Sequence, residues 1–135
     1  DRYLGEIVER LVYSYSSGDK EIVVDSDVAA VEVPVKTAVS VGLVVNELVT
    51  NSMKYAFADR TSGRIGVAAA GDDVGDTISL RVSDDGVGFA APSSSAGVSS
   101  LGLTLVRLVA ERIDAHLDVE SGAGGTRWTM TFSRT

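Results

Sequence analysis

Five polar residues interrupt the aliphatic run Leu43–Phe57: Asn46, Glu47, Thr50, Asn51 and Lys54. An acid, two amides, a hydroxyl and an amine together suit a Mg²⁺–phosphate complex. The carboxylate of Glu47 can handle a proton, the amide oxygen of Asn51 can face the metal, and the ammonium of Lys54 can face phosphate oxygens. At about 100° per residue the five positions fall within an arc of roughly 140° on a helix. Glu47 and Asn51 lie one turn apart on that arc. The opposite arc holds Val41, Val44, Val45, Leu48, Val49, Met53 and Tyr55. The solvated face of an ordinary amphipathic helix would show the same pattern, so this stretch alone leaves both readings open.

Three later stretches carry compatible chemistry. Asp84-Asp85-Gly86-Val87-Gly88 directly follows a strand-like segment. A carboxylate at a strand end can accept a hydrogen bond from an exocyclic amine, and Gly86 and Gly88 let the backbone bend and a flat ligand approach. An ordinary Asp-Gly turn is the alternative. Ser99-Ser100-Leu101-Gly102-Leu103 stands where a polar loop becomes a helix. Backbone amides at a helix start form a phosphate site, and Gly102 would let phosphates come close; a capped helix with a tolerated glycine reads the same way. Gly124-Gly125-Thr126 joins the last hairpin and by itself is a turn.

The elements that must position these residues follow from periodicity. Residues Tyr3 to Tyr15 are apolar at Leu4, Ile7, Val8, Leu11, Val12 and Tyr15, which predicts a helix. Ser16 to Asp19 ends it with turn residues. Strands are predicted at Glu21–Asp25 and, more weakly, at Val28–Val33. Pro34 fits the first turn of the long helix that continues to Phe57. Arg64–Ala70 and Thr77–Ser83 read as strands joined by the Gly71–Asp76 hairpin connection. Ala90–Ser99 reads as a mobile loop, a helix follows from about Ser100 to Ile113, and His116–Ser121 and Thr126–Phe132 are strands with Trp128, Met130 and Phe132 on one face. The order predicts an α+β fold, a two-layer sandwich whose mixed, mostly antiparallel sheet is covered on one face by three helices.

Composition bounds the function. The 135 residues suit a single domain, and 44% hydrophobic residues suffice for a core. A net charge of -7 argues against nucleic acid or an anionic membrane as the main partner, but not against a nucleotide, whose charge a cation and local donors offset. There is no cysteine and only one histidine, which excludes disulfides and Cys- or His-rich metal sites. No apolar run approaches the roughly 18 residues needed to span a bilayer. The N-terminus lacks signal-peptide features and an initiator methionine, and enters directly into helix-like sequence. We therefore expect a piece of a longer cytoplasmic protein.

Taken in order, the Glu47–Asn51–Lys54 helix, Asp84-x-Gly86-x-Gly88, the small-residue loop, Leu101-Gly102-Leu103 and Gly125-Thr126 resemble one family over about residues 20–133. They look like the catalytic, ATP-binding domain of a sensor histidine kinase, within the superfamily of gyrase, heat-shock chaperone and mismatch-repair ATPases. Asn-Glu-Leu-Val-Thr-Asn followed by Lys, and Ser-Leu-Gly-Leu followed by Leu-Val, are similar to the HWE-like group. The resemblance implies the Bergerat fold with Ala90–Ser99 as the ATP lid. It implies that Asn51 coordinates Mg²⁺, that Glu47 is a base or supports the metal, and that Lys54 faces phosphate. It implies that Asp84 reads the adenine amine, that Gly86 and Gly88 shape the adenine pocket, that Leu101, Gly102 and Leu103 form the glycine box, and that Thr126 lies near adenine. The implied cofactors are ATP and Mg²⁺. The implied partners are ATP or ADP, the dimerisation and phosphoacceptor domain of the same protein, from which residues 1–16 would be the connection, and a downstream response regulator, with no nucleic acid and no membrane insertion of this domain.

The chain also departs from the family. Ser99-Ser100, with Gly97 nearby, replaces the first glycines of the usual glycine box, and the lid lacks a Phe-rich box. Tyr55 stands where many relatives have His, so no catalytic role is carried to it. His116 falls in a predicted strand, the wrong context for a phosphate acceptor, and reads as a sheet residue. Two alternatives stay open: an anti-sigma-type serine kinase acting as a protein-binding switch, and a degenerate interaction module. The joint presence of Glu47, Asn51, Asp84 and Gly102 disfavours the second.

Overall fold

Alternation of apolar and polar residues along the strands decides which side of the sheet is covered. The computed structural model describes residues 2–15, 21–29, 31–57, 62–71, 76–86 and 100–134. Its elements are β1 (Arg2–Tyr3), α1 (Leu4–Ser14), β2 (Glu21–Val28), β3 (Glu32–Val33), α2 (Val35–Asn51), a π-helical turn (Ser52–Ala56), β4 (Ser62–Gly71), β5 (Thr77–Asp84), α3 (Ser100–Arg112), β6 (His116–Gly122) and β7 (Gly125–Ser133). The main sheet has five strands in the order β2-β4-β5-β7-β6.

Register stacks the apolar positions of neighbouring strands. Val67 pairs with Val82, which pairs with Trp128; Ala69 pairs with Leu80, which pairs with Met130; Ile78 pairs with Phe132. All of these are buried, and they meet Leu4 and Val8 of α1, Val41, Val44, Val45, Leu48 and Val49 of α2, and Val106, Val109 and Ala110 of α3 in one core. Side chains at odd and even strand positions point to opposite faces. The other face therefore carries exposed Arg64, Arg81 and Arg127. The α+β sandwich with three helices on one side is thus observed.

Three local features differ from the sequence expectation. The predicted second strand shrinks to Glu32–Val33, which pairs with β1 in a two-stranded sheet of its own. The first long strand extends to Val28 and pairs with β4 in parallel, so consecutive strands here are not antiparallel neighbours. A parallel pair needs a crossover, and α2 provides it. Pro34 sits immediately before α2 rather than within its first turn, and its carbonyl accepts from the Ala38 amide at 3.0 Å.

A further difference lies at the end of α2. Regular α-helix stops at Asn51, and Ser52–Ala56 continue as a π-helical turn. Such turns widen the helix locally and are common at functional sites. Here the turn delivers Phe57 to full burial. The ring lies against Gly63, where an added Cβ would overlap it.

Gly63→Ala should therefore displace Phe57. Burial of one such ring is worth about 1.5–3 kcal/mol, and a loss of that size should lower the urea midpoint at unchanged slope. A wild-type midpoint would show that the ring does not depend on this contact.

Candidate functional site

Asp84 is the last residue of β5 and occupies an inward register position, two beyond Val82 and four beyond Leu80. A carboxylate at the edge of a core must have its lone pairs satisfied. Its Oδ1 accepts the backbone N–H of Gly86 at 3.0 Å and that of Thr126 at 3.3 Å. Its Oδ2 accepts the Ser52 hydroxyl at 2.8 Å. An ionised carboxylate has about four acceptor positions. Among the described residues these three bonds fill Oδ1 and leave one position on Oδ2.

The same row of the sheet runs from Ile65 through Asp84 and Thr126 to Ser121. Thr126 is buried, and its hydroxyl lies 2.9 Å from that of Ser121. An open depression of about 310 Å³ lies at this end of the sheet, bounded by Asp84, Ser121, Gly125 and Thr126 among others. Gly125 has φ of 127°, and a Cβ there would overlap the Asp84 carbonyl. Glycine at 125 thus lets β7 approach the Asp84 backbone. Asp85 belongs to the strand end's opposite side: its Oδ1 accepts the Arg64 amide at 2.8 Å, and its own amide donates to the Arg64 carbonyl at 3.2 Å. The two adjacent aspartates therefore serve different faces.

The α2 end meets Asp84 through Ser52, the residue after Asn51. Asn51 is half-buried, and its Nδ2 is fully buried with no hydrogen-bond partner among the described residues. Glu47 is half-buried one turn earlier, and Lys54 is exposed on the π-helical turn. Asn46 is exposed, and its Oδ1 accepts the Tyr15 hydroxyl at 2.8 Å. Partial burial pushes the Tyr15 phenol up to about 12. This bond ties the end of α1 to the polar face of α2.

The structure thus gathers Asn51, Asp84, Gly86 and Thr126 through direct contacts and chain adjacency, with Glu47 and Lys54 on the same helix end. Leu103 packs against the core. Leu101 and Gly102 lie in the first turn of α3, and nothing further is described of them. Gly88 and the expected lid Ala90–Ser99 lie outside the described residues. His116 is an exposed residue of β6, with Nε2 3.0 Å from the Asp118 carboxylate, as expected for a sheet residue. Among the described residues no group of three His, Cys, Asp or Glu side chains could hold a metal ion. No helix among them is long and apolar enough to cross a membrane.

Two participants escaped sequence reasoning. Ser52 reads as a small helix residue and Ser121 as an ordinary strand residue. Each acquires its role from a partner on another element, Asp84 for Ser52 and Thr126 for Ser121. Only its place beside Asn51, at the end of the polar run, could have drawn attention to Ser52.

Residues 37–135 match the family of histidine kinase-, DNA gyrase B- and HSP90-like ATPases. The chain belongs to this ATPase family. As an ATP-binding domain of that kind it is 33% identical over 124 residues to blue-light-activated histidine kinase 2 of Erythrobacter litoralis, covering 92% of this chain and 35% of that protein. The solved structure of a blue-light-activated histidine kinase from the same species superposes with a TM-score of 0.82 at 30% identity, over 97% of this chain and 40% of the other. A mycobacterial sensor histidine kinase shares the fold with a TM-score of 0.77 at 20% identity, over 98% and 95% of the two chains. The ATPase domain therefore spans about a third of the curated relative it matches.

Gly125→Ala should push β7 away from Asp84, because neither the positive φ nor the backbone contact tolerates a Cβ. The backbone conformation alone costs about 1–2 kcal/mol. The domain should lose at least that much stability in chemical denaturation. The Thr126 amide, read by hydrogen exchange, should lose protection more than amides in the middle of β7.

Proposed function

We propose that this domain binds Mg-ATP and, within a sensor histidine kinase of the HWE-like group, presents the γ-phosphate to a histidine on a separate dimerisation and phosphoacceptor domain. A response regulator would receive the phosphoryl group downstream, and the domain would work in the cytoplasm. The observation that carries the reading is the Ser52–Asp84 bond, which joins the helix end bearing Asn51 to a strand-end carboxylate with one acceptor position to spare. The relatives described above are histidine kinases, which favours this reading over the serine-kinase switch.

In this reading the open position on Asp84 Oδ2 accepts the exocyclic amine of adenine. Gly86, Gly88 and Thr126 border the base, and Leu101, Gly102 and Leu103 border the phosphates. The buried Asn51 Nδ2, a donor without a partner among the described residues, fits a site completed by an acceptor such as a phosphate oxygen, which leaves Oδ1 to face a metal, since buried polar atoms ordinarily have partners. Mg²⁺ commonly takes one or two protein ligands and completes its shell with phosphates and water. A site of Asn51 and Glu47 without a carboxylate cluster suits it for that reason. The bound ion would neutralise phosphate charge. Lys54, exposed on its turn, would meet phosphate oxygens, and Glu47 would orient or accept a proton. Catalysis of this class is mainly positioning and charge stabilisation.

Calorimetric titration with ATP, with and without Mg²⁺, tests the reading. Asp84→Ala removes a hydrogen bond to a charged group, worth roughly 1.5–3 kcal/mol, so ATP affinity should fall about tenfold or more. Unchanged affinity would remove Asp84 from the base site. Asn51→Ala should abolish the Mg²⁺ dependence of ATP binding, and retained dependence would move the metal elsewhere.

A further inference from the structure

We infer that Ser52 is a positioning residue that sets the preference for adenine over guanine, an inference that rests on Asp84 being the adenine partner. Ser52 is buried, 8% exposed, and its hydroxyl donates to Asp84 Oδ2 at 2.8 Å. Oδ1 is already filled by the amides of Gly86 and Thr126. The carboxylate is thus held from three sides: by the end of α2, by its own loop and by β7. It cannot turn about its Cβ–Cγ bond without losing the bond to Ser52 or those to the two amides.

This occupancy has a chemical consequence. A carboxylate with both oxygens open offers two acceptors side by side, the arrangement that pairs with the N1–H and N2–H donors of guanine. Asp84, with Ser52 bound, offers a single acceptor position. One N–H of the adenine exocyclic amine fills it, whereas guanine brings a carbonyl oxygen where adenine has the amine. Without the serine hydroxyl, Oδ1 stays filled by the two amides, but Oδ2 has two open positions, enough to receive both the N1–H and the N2–H of guanine at one oxygen, and the carboxylate loses one of its three tethers. Both changes relax the discrimination against guanine. Because Ser52 follows Asn51 directly, the same bond also fixes the helix end proposed to face the metal and phosphates.

The test is calorimetric titration of the 135-residue chain with Mg-ATP and Mg-GTP, comparing wild type, Ser52→Ala and Ser52→Thr. The ratio of ATP to GTP affinity should fall about tenfold in Ser52→Ala, the size expected for one buried hydrogen bond to a charged group. Ser52→Thr keeps the hydroxyl and should keep the wild-type ratio. A purely structural role would weaken both nucleotides by the same factor. An unchanged ratio in folded Ser52→Ala overturns the inference and leaves the Asp84 reading intact. If circular dichroism shows Ser52→Ala to be unfolded, Ser52→Cys replaces it, since a thiol is a near-isosteric but weak donor, and the same two outcomes apply. A wild-type chain that binds both nucleotides equally would instead remove Asp84 as the base reader, and Ser52 with it.

Discussion

The requirement that a carboxylate at the edge of the core be held by donors organises this molecule. Asp84 stands in the same register as the buried residues of β5, so its side chain is aimed inward rather than at open solvent. The charge is tolerable there because three elements converge to donate to it: the end of α2, the loop after β5 and the start of β7. Left unpartnered, it would be a partly desolvated charge with nothing to compensate it. The end of α2 and the start of β7 meet at Asp84, and glycine at 125 permits the close approach of β7 to the Asp84 backbone.

The one-sided sheet provides the frame. Inward positions of β4, β5 and β7 pair row by row from Ile78 and Phe132 at one end to Asp84 and Thr126 at the other. Hydrophobic burial is non-directional, so it fixes the helices on the sheet without specifying their ends. Polar contacts supply that precision. Ser52 positions the end of α2 against β5, and Tyr15 ties the end of α1 to Asn46 on the polar face of the same helix. Fold stability and site geometry thus come from different interactions meeting on one helix.

Much of the fold was legible in the sequence because the periodicities are strong. The 3.6-residue spacing in α1 and the two-residue alternation of Trp128, Met130 and Phe132 each have one simple physical reading. The parallel pairing of β2 with β4 was not legible, since strand neighbours are chosen by long-range packing rather than by the residues within a strand. Nor was the π-helical turn, which depends on Phe57 finding its place against Gly63. Of the candidate site, Asp84 and Asn51 stood out because a carboxylate before Gly-x-Gly and an amide in an aliphatic helix are locally incongruous.

By itself the sequence determined the chemistry available: one amide and one acid a helical turn apart, a strand-end aspartate, glycines where close approach is needed, and no cysteine or histidine cluster. It also determined which face of each element would be buried, because side-chain direction follows from local periodicity. Only the tertiary structure decided that of two adjacent aspartates Asp84 faces inward and Asp85 binds Arg64, that Ser52 and Ser121 join the polar row, and that a single acceptor position stays open on Asp84. The decisive contacts, Arg64 with Asp85, Ser52 with Asp84 and Thr126 with Asp84, join residues 21, 32 and 42 positions apart. Hydrogen bonds are short-ranged and directional, so which donors reach a carboxylate is known only once the elements have packed.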